Sequence, residues 1–239
     1  MEAIPRAMAP RRIRIAALVP GFDVEGTIAA VVDGARQHVE HVLVVDDGSR
    51  DATADVARAA GAEVLRHGEN RGKGAALRSG LIRLLASGFT HAFTLDGDGQ
   101  HLADEMPGLV REAAAQPDAI VLGARRIADT QEVAPIKRFG NGFANWWVSL
   151  AAGVELRDTQ SGFRVYPIAT VLGLGIRAER FEFESEVLIL AARRGIGVRT
   201  LDVAVHYPPP GERVSHYEPW LDTCRIIFTV VPFLVGLRR

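Results

Sequence analysis

From residue 13 to residue 122, short apolar runs alternate with Ala-rich stretches of helical spacing. This alternation constrains the fold more than anything else in the chain. The apolar runs are Ile13–Val19, His41–Val45, Ala62–Arg66, His91–Leu95 and Ala119–Leu122, each closed by polar residues or Gly. Between them lie Thr27–Gln37, Thr53–Ala60, Gly74–Ala86 and Asp104–Ala115. Strands separated by helices pair in parallel through right-handed crossovers. Strands that are apolar throughout have both faces covered. The pattern predicts an α/β fold, with a mostly parallel central sheet flanked by helices. In such sheets ligands bind beyond the carboxyl ends of the strands.

The second half is less regular. It predicts a helix from near Pro135 through Trp146–Trp147 and a polar loop at Asp158–Arg164. A helix around Glu184–Arg194 and a strand at Val198–His206 follow. A Pro-rich loop, Pro208–Gly211, leads into a last helix from about Pro219. No repeat or long linker divides the chain, so one unit over 1–239 is expected.

Composition removes several function classes. With 48% hydrophobic residues the 239-residue chain can bury a substantial core. A formal net charge of -1 gives no global basic footprint, so no nucleic-acid partner is expected. Cys224 is the single cysteine, which excludes an internal disulfide and Cys-rich zinc sites and favours a reducing, cytoplasmic setting. Arg11, Arg12 and Arg14 precede an apolar run too short for a signal peptide, with Asp23 and Glu25 close behind. The run Ile226–Leu237 has 12 residues, against the roughly 20 of a membrane-spanning helix. No transmembrane segment is expected.

Three predicted strands end in residues that carry chemistry. The second runs into Asp46-Asp47-Gly48-Ser49, the third leads to Asn70-Arg71-Gly72-Lys73-Gly74, and the fourth runs into Asp96-Gly97-Asp98-Gly99-Gln100-His101. Asp96 and Asp98, two apart with Gly between, can turn both carboxylates to one point. Paired carboxylates repel unless a cation sits between them. Mg²⁺ suits the pair, since it takes one or two carboxylates plus substrate phosphate oxygens. Gln100 offers a further oxygen. An Asp-Gly run is equally compatible with a solvated turn. The Gly72-Lys73-Gly74 segment fits neither a Walker motif nor a dinucleotide fingerprint, leaving a Gly-rich helix start suited to an anion or a plain helix entry. Asp46-Asp47 reads either as a nucleobase or ribose contact or as a strand-ending turn with a helix cap.

Taken together, these segments resemble the family 2 inverting glycosyltransferases with the GT-A fold, in the branch of the dolichyl- and polyprenyl-phosphate mannose and glucose synthases. Val45–Ser49 resembles that family's nucleoside-binding segment and Asn70–Ala76 its glycine-rich stretch. Asp96–His101 resembles its metal and diphosphate site. Thr159-Gln160-Ser161-Gly162-Phe163-Arg164 resembles its acceptor loop, and Arg213–Tyr217 the basic segment that follows. The five motifs keep the family's order over about residues 15–225. One departure is that Val24 stands where the family carries a base-contacting acid, with Glu25 next to it.

The resemblance implies a nucleotide-diphospho-sugar donor (UDP-, GDP- or dTDP-linked) and Mg²⁺ or Mn²⁺ as cofactor. Residues 1–124 would form the donor half and 125–239 the acceptor half, ending in an amphipathic helix. Donor contacts fall to Pro20, Asp46, Asp47, Gly72, Lys73 and Asp96, and the ion to Asp96, Asp98 and Gln100. Arg125, Ser161, Arg164 and Arg213 fall on the acceptor. Asp158, Asp98 and Arg164 are the candidate catalytic residues. A lipid phosphate acceptor is largely ionised at neutral pH and needs arginines more than a base. A hydroxyl acceptor needs a base, for which Asp158 is the candidate. Of Glu184 and Glu186, i and i+2 on one helix, only one can face the site. His101 and at least one of Trp146 and Trp147 are expected to be structural. The last helix, with Arg238-Arg239 at its end, suits an anionic membrane surface, at the inner face of the membrane, or packing on the domain. A soluble glycosyltransferase acting on a hydroxyl of a small-molecule or secondary-metabolite acceptor, a nucleotidyltransferase and a non-catalytic nucleotide-sugar sensor remain alternatives.

Overall fold

The computed structural model describes residues 13–125, 135–206 and 219–235. Among these, seven strands form one sheet: β1 (Ile15–Gly21), β2 (Val42–Asp46), β3 (Glu63–Arg66), β4 (His91–Thr94), β5 (Ile120–Arg125), β6 (Arg164–Pro167) and β7 (Val198–Val203). Their order is β3-β2-β1-β4-β6-β5-β7. Each of the five runs expected in the first half is a strand, and β1 to β4 pair in parallel. The helices are α1 (Ile28–Arg36), α2 (Thr53–Ala59), α3 (Lys73–Ala86), α4 (Met106–Ala115), α5 (Pro135–Ala152), α6 (Ile168–Leu172), α7 (Glu182–Arg193) and α8 (Pro219–Leu234).

Strand alternation divides the core in two. Ala16, Leu18, Leu43 and Val45 point to a cluster built with α3, α5, α7 and α8. Ala17, Val19, Val42 and Val44 point to another, built with α1, α2 and α4. All five residues of β2 are buried, because both sheet faces carry helices.

One strand was not expected. Residues 158–164 read as a polar loop, yet Arg164 opens β6, which inserts antiparallel between β4 and β5. Its four residues, Arg-Val-Tyr-Pro, are all buried. A charged first residue and a closing Pro hide the strand in the sequence, while pairing on both sides forms it. The insertion parts β4 from β5 and carries the 158–164 segment to the carboxyl end of β4 (Thr94 Oγ1 donates to Gly162 O, 2.8 Å).

Candidate active site

The carboxyl end of β2 presents two aspartates with different tasks. The Asp47 Oδ2 accepts from Gly72 N (2.7 Å) and Oδ1 from Arg71 N (3.0 Å). His67 donates from Nδ1 to Asp47 Oδ1 (2.6 Å), while its Nε2 meets Ser79 Oγ at 3.0 Å. Asp47 therefore shapes the glycine-rich loop from within. Asp46 is buried, with Oδ1 accepting from Ser49 N (2.9 Å). Arg66 Nε lies 3.0 Å from its Oδ2, but off the line of a hydrogen bond, so that oxygen is a buried acceptor without one. Asp46 is thus buried and paired with Arg66. Pro20 is opposite Val45 in the β1–β2 register, and its carbonyl oxygen borders Gly97 between the two β4 aspartates.

The loop ends at Gly72, whose φ of 99° caps α3. A Cβ there would stand 2.5 Å from Glu179 O, so only Gly fits. Lys73 follows at the first helical position. Its Nζ lies 2.6 Å from Asp96 Oδ1 and 2.9 Å from Glu184 Oε1. Burial pulls the Lys73 ammonium toward the neutral form, but Asp96 and Glu184 outweigh it and hold the pKa above the usual lysine range. Asp96 shows the reverse balance: burial favours its neutral acid, yet Lys73 and then His101 hold its pKa below the usual carboxylate value. Gly162 packs on Asp96, where a Cβ would come within 2.5 Å of Oδ1.

Asp98 accepts from Gln100 N (3.0 Å) and Gln100 Nε2 (2.9 Å). Burial, and next the charge of Asp96, push its pKa up to about 6. The two carboxylates lie near enough for the charge of Asp96 to act on Asp98, an arrangement a dication would stabilise. Among the described residues no cluster of three or more His, Cys, Asp or Glu ligands exists. Two carboxylates and an amide instead match an ion that keeps positions for substrate phosphate oxygens. The donor set fits Mg²⁺ or Mn²⁺ once the Gln100 amide turns over to offer its oxygen, which now faces away from Asp98. His101 is structural: Nδ1 accepts from Asp96 N (3.2 Å) and its ring lies 4.9 Å from that of Phe163, with burial holding its pKa down.

Arg125 at the end of β5 clasps Asp158. Backbone N and Nε both donate to Oδ2 (2.9 and 2.8 Å), and Nη2 donates to Oδ1. Asp158 holds a φ of 49°, in the left-handed region. Ser161 Oγ donates to Gly123 O (2.7 Å), turning away from an acceptor. Arg164 is fully buried, and its guanidinium donates to Ser161 O (2.7 Å), Thr159 O (2.8 Å), Glu184 O (2.8 Å) and Tyr166 Oη (3.0 Å). It braces the 158–164 loop against α7 from below, where burial leaves its guanidinium closed to the acceptor contact expected of it. Thr159 is also pinned from α5, where Asn145 Oδ1 accepts from its N (2.9 Å) and Oγ1 (2.8 Å). Arg213, with His216 and Tyr217, lies outside the described residues.

As the helical spacing requires, only one of the two α7 glutamates meets the site. Glu184 pairs with Lys73, while Glu186 accepts from Ala178 N (2.8 Å). Trp147 packs against the core and Trp146 is 56% exposed. His67 and Asn145 drew no attention in the sequence. A lone His or Asn carries no spacing signal when its partner lies elsewhere in the chain.

Residues 17–164 match the model of glycosyl transferase family 2. The dolichyl-phosphate beta-glucosyltransferase of Drosophila melanogaster is 30% identical over 258 residues, spanning 95% of this chain and 77% of its own length. The undecaprenyl-phosphate mannosyltransferase of Micrococcus luteus is 27% identical over 207 residues, spanning 82% of this chain and 84% of its own. Among solved structures, glucosyl-3-phosphoglycerate synthase from Mycobacterium tuberculosis, in complex with Mn²⁺, UDP and phosphoglyceric acid, superimposes with a TM-score of 0.69. It is 20% identical and covers 94% of this chain and 78% of its own, which establishes the GT-A fold. With its strand-end motifs in family order and the sheet that gathers them, the chain belongs to glycosyl transferase family 2 and is a glycosyltransferase.

Proposed function

We propose that this glycosyltransferase moves a hexose from a nucleotide-diphospho-sugar to a polyprenyl phosphate, with inversion and with Mg²⁺ or Mn²⁺ as cofactor. The donor lies over residues up to 124 and the acceptor over residues from 125 onward. Asp96 and Asp98, joined by Gln100, are the residues that would hold the ion. The ion supplies Lewis-acid stabilisation of the departing diphosphate. Asp46, paired with Arg66 at the end of β2, borders the nucleoside, and the glycine-rich loop, shaped by Asp47, presents Lys73 to the diphosphate. The acceptor phosphate oxygen attacks the anomeric carbon, and the bond from that carbon to the diphosphate oxygen breaks with its electron pair.

The observation that carries the phosphate acceptor is the state of Asp158. Its carboxylate is occupied by Arg125 through side chain and backbone, and Glu184 is occupied by Lys73. Neither is a free base poised for a hydroxyl. A phosphate arrives already ionised and needs none. The named acceptors of the Drosophila and Micrococcus relatives, dolichyl and undecaprenyl phosphate, agree with this reading.

A lipid acceptor must be met at a membrane. No helix among the described residues is long and apolar enough to cross one. Phe143, Trp146 and Leu150 on α5 and Phe228, Val231 and Val235 at α8 are, however, exposed. Two neighbouring helices with such stripes suit docking onto the cytoplasmic leaflet. The acceptor loop hangs from the same α5 through Asn145.

The test is transfer of labelled sugar to polyprenyl phosphate and to the matching polyprenol, assayed in parallel with UDP-, GDP- and dTDP-linked donors. Label should follow the phosphate and not the alcohol. Equal or better labelling of the alcohol, or of soluble hydroxyl compounds, would overturn the phosphate reading.

A further inference from the structure

We propose that Lys73 is a built-in cation that stands in for the divalent ion at Asp96, and that it is passed to the donor diphosphate when donor and ion bind, pivoting on Glu184. The inference rests on the metal reading above and concerns what this chain does before the ion arrives.

The geometry sets Lys73 against an incoming ion. Lys73 Nζ sits 2.6 Å from Asp96 Oδ1, one of the two oxygens that carboxylate offers a cation. An ammonium and a dication repel and do not share one carboxylate oxygen at bonding distance. An ion that takes this oxygen displaces Lys73. The backbone at Lys73 has no freedom to follow, since Gly72 N donates to Asp47 Oδ2 (2.7 Å) and Ala75 N to Glu179 O (2.9 Å). Only the flexible side chain moves.

Glu184 decides where it goes. Its side chain is 4% exposed, against 28% for Asp96, so Lys73 has one buried anchor and one partner open to incoming ligand. Arg164 fixes the anchor by donating to Glu184 O (2.8 Å). Lys73 has three N–H donors, so it can keep Glu184 while exchanging Asp96 for a phosphate oxygen. Leaving a buried ammonium with one carboxylate and no replacement is costly. The ion alone should then bind weakly, and a nucleoside diphosphate, by receiving Lys73, should make room for it. Glu184 is a positioning residue in this exchange.

The experiment measures Mn²⁺ affinity by electron paramagnetic resonance, without nucleotide and with saturating UDP (or GDP or dTDP, where that is the nucleoside diphosphate that binds), for the wild-type chain, Lys73→Met, Glu184→Gln and Asp98→Asn. In Lys73→Met the affinity for Mn²⁺ alone should tighten about tenfold, a shift of about 1.4 kcal/mol. With UDP present it should change little, because in the wild type Lys73 has then already left Asp96. A simple change of local charge would tighten both measurements equally, and that result overturns the proposal, as does no change. Glu184→Gln leaves Lys73 with Asp96 alone, so Mn²⁺ alone should bind several-fold more weakly, with a smaller loss when UDP is present. If Lys73→Met fails to fold, this variant decides, and equal effects in both conditions overturn the exchange. Asp98→Asn separates the two readings. Undiminished Mn²⁺ binding there sinks the metal site itself, whereas lost binding together with uniform Lys73→Met effects sinks only the exchange.

Discussion

Arg125 and Asp158 form a two-pronged ion pair that closes the carboxyl end of β5 onto the 158–164 loop, with the Arg125 backbone N–H adding a third bond to the same carboxylate. The pair joins the end of a strand to a residue held at positive φ. A pair that sets the loop and a carboxylate that acts as a base are two accounts of the chemistry that experiment separates.

If Asp158 positions Arg125 and the loop, Asp158→Asn should keep the shape of the side chain and lose only the charge. Turnover on a polyprenyl phosphate should then fall less than about tenfold, with the larger change in acceptor KM. A general base would cost about 10²–10⁴-fold in kcat. Steady-state kinetics with varied acceptor distinguish the two.

Arg164→Met should act through stability. Removing the guanidinium leaves the carbonyls of Thr159, Ser161 and Glu184 buried without that donor. An unsatisfied buried polar group costs about 1–3 kcal/mol. A loss of about 3 kcal/mol or more corresponds to roughly 6–12 °C in Tm for a chain of this size. Scanning calorimetry checks it; an unchanged Tm with weakened acceptor binding would return Arg164 to the ligand.

Gly72→Ala should damage the donor side. The backbone conformation is strained for any L side chain, and the Cβ would meet Glu179 O. A destabilisation of about 1–3 kcal/mol is expected, together with weakened UDP binding, because Gly72 N positions the loop on Asp47. Isothermal titration with UDP measures the second effect, and wild-type affinity would contradict it.

Asp98 gives a pH dependence. An acid whose pKa rises on folding, here to about 6, binds its proton more tightly in the native state. Its contribution to stability is present below the unfolded value of about 3.9 and is lost as pH rises through about 6. A divalent ion competes with the same proton. Without metal, that contribution should decline between about pH 4 and 6, and the rise in Tm on adding Mn²⁺ should grow from pH 5 to 7. Asp98→Asn should flatten both trends.

Much of this architecture could be read from residues alone, because periodicity reports burial. The five apolar runs became β1 to β5, and the strand-end rule sent Asp46, Lys73 and Asp96 to one edge of the sheet. What could not be read depends on partners distant in sequence. Asp46 and Asp47 are chemically identical neighbours at the end of β2, and only the fold turns one into the clamp of the 70–73 loop. The charge of Arg164 suggested a ligand contact, yet three carbonyls and a tyrosine hydroxyl make its burial tolerable. The same residue concealed β6, whose pairing comes from β4 and β5 and not from its own four residues. Glu184 and Glu186 fared better, since helical geometry alone sends them to different faces.

The most direct test is a thermal-shift comparison of the wild-type chain with Asp98→Ala, using UDP-, GDP- and dTDP-linked sugars with and without Mn²⁺. The donor that binds should raise the wild-type Tm further when Mn²⁺ is present. In Asp98→Ala the metal-dependent part of that rise should vanish while the metal-independent part survives. A metal-dependent shift of wild-type size in Asp98→Ala would contradict the assignment of the ion to the end of β4.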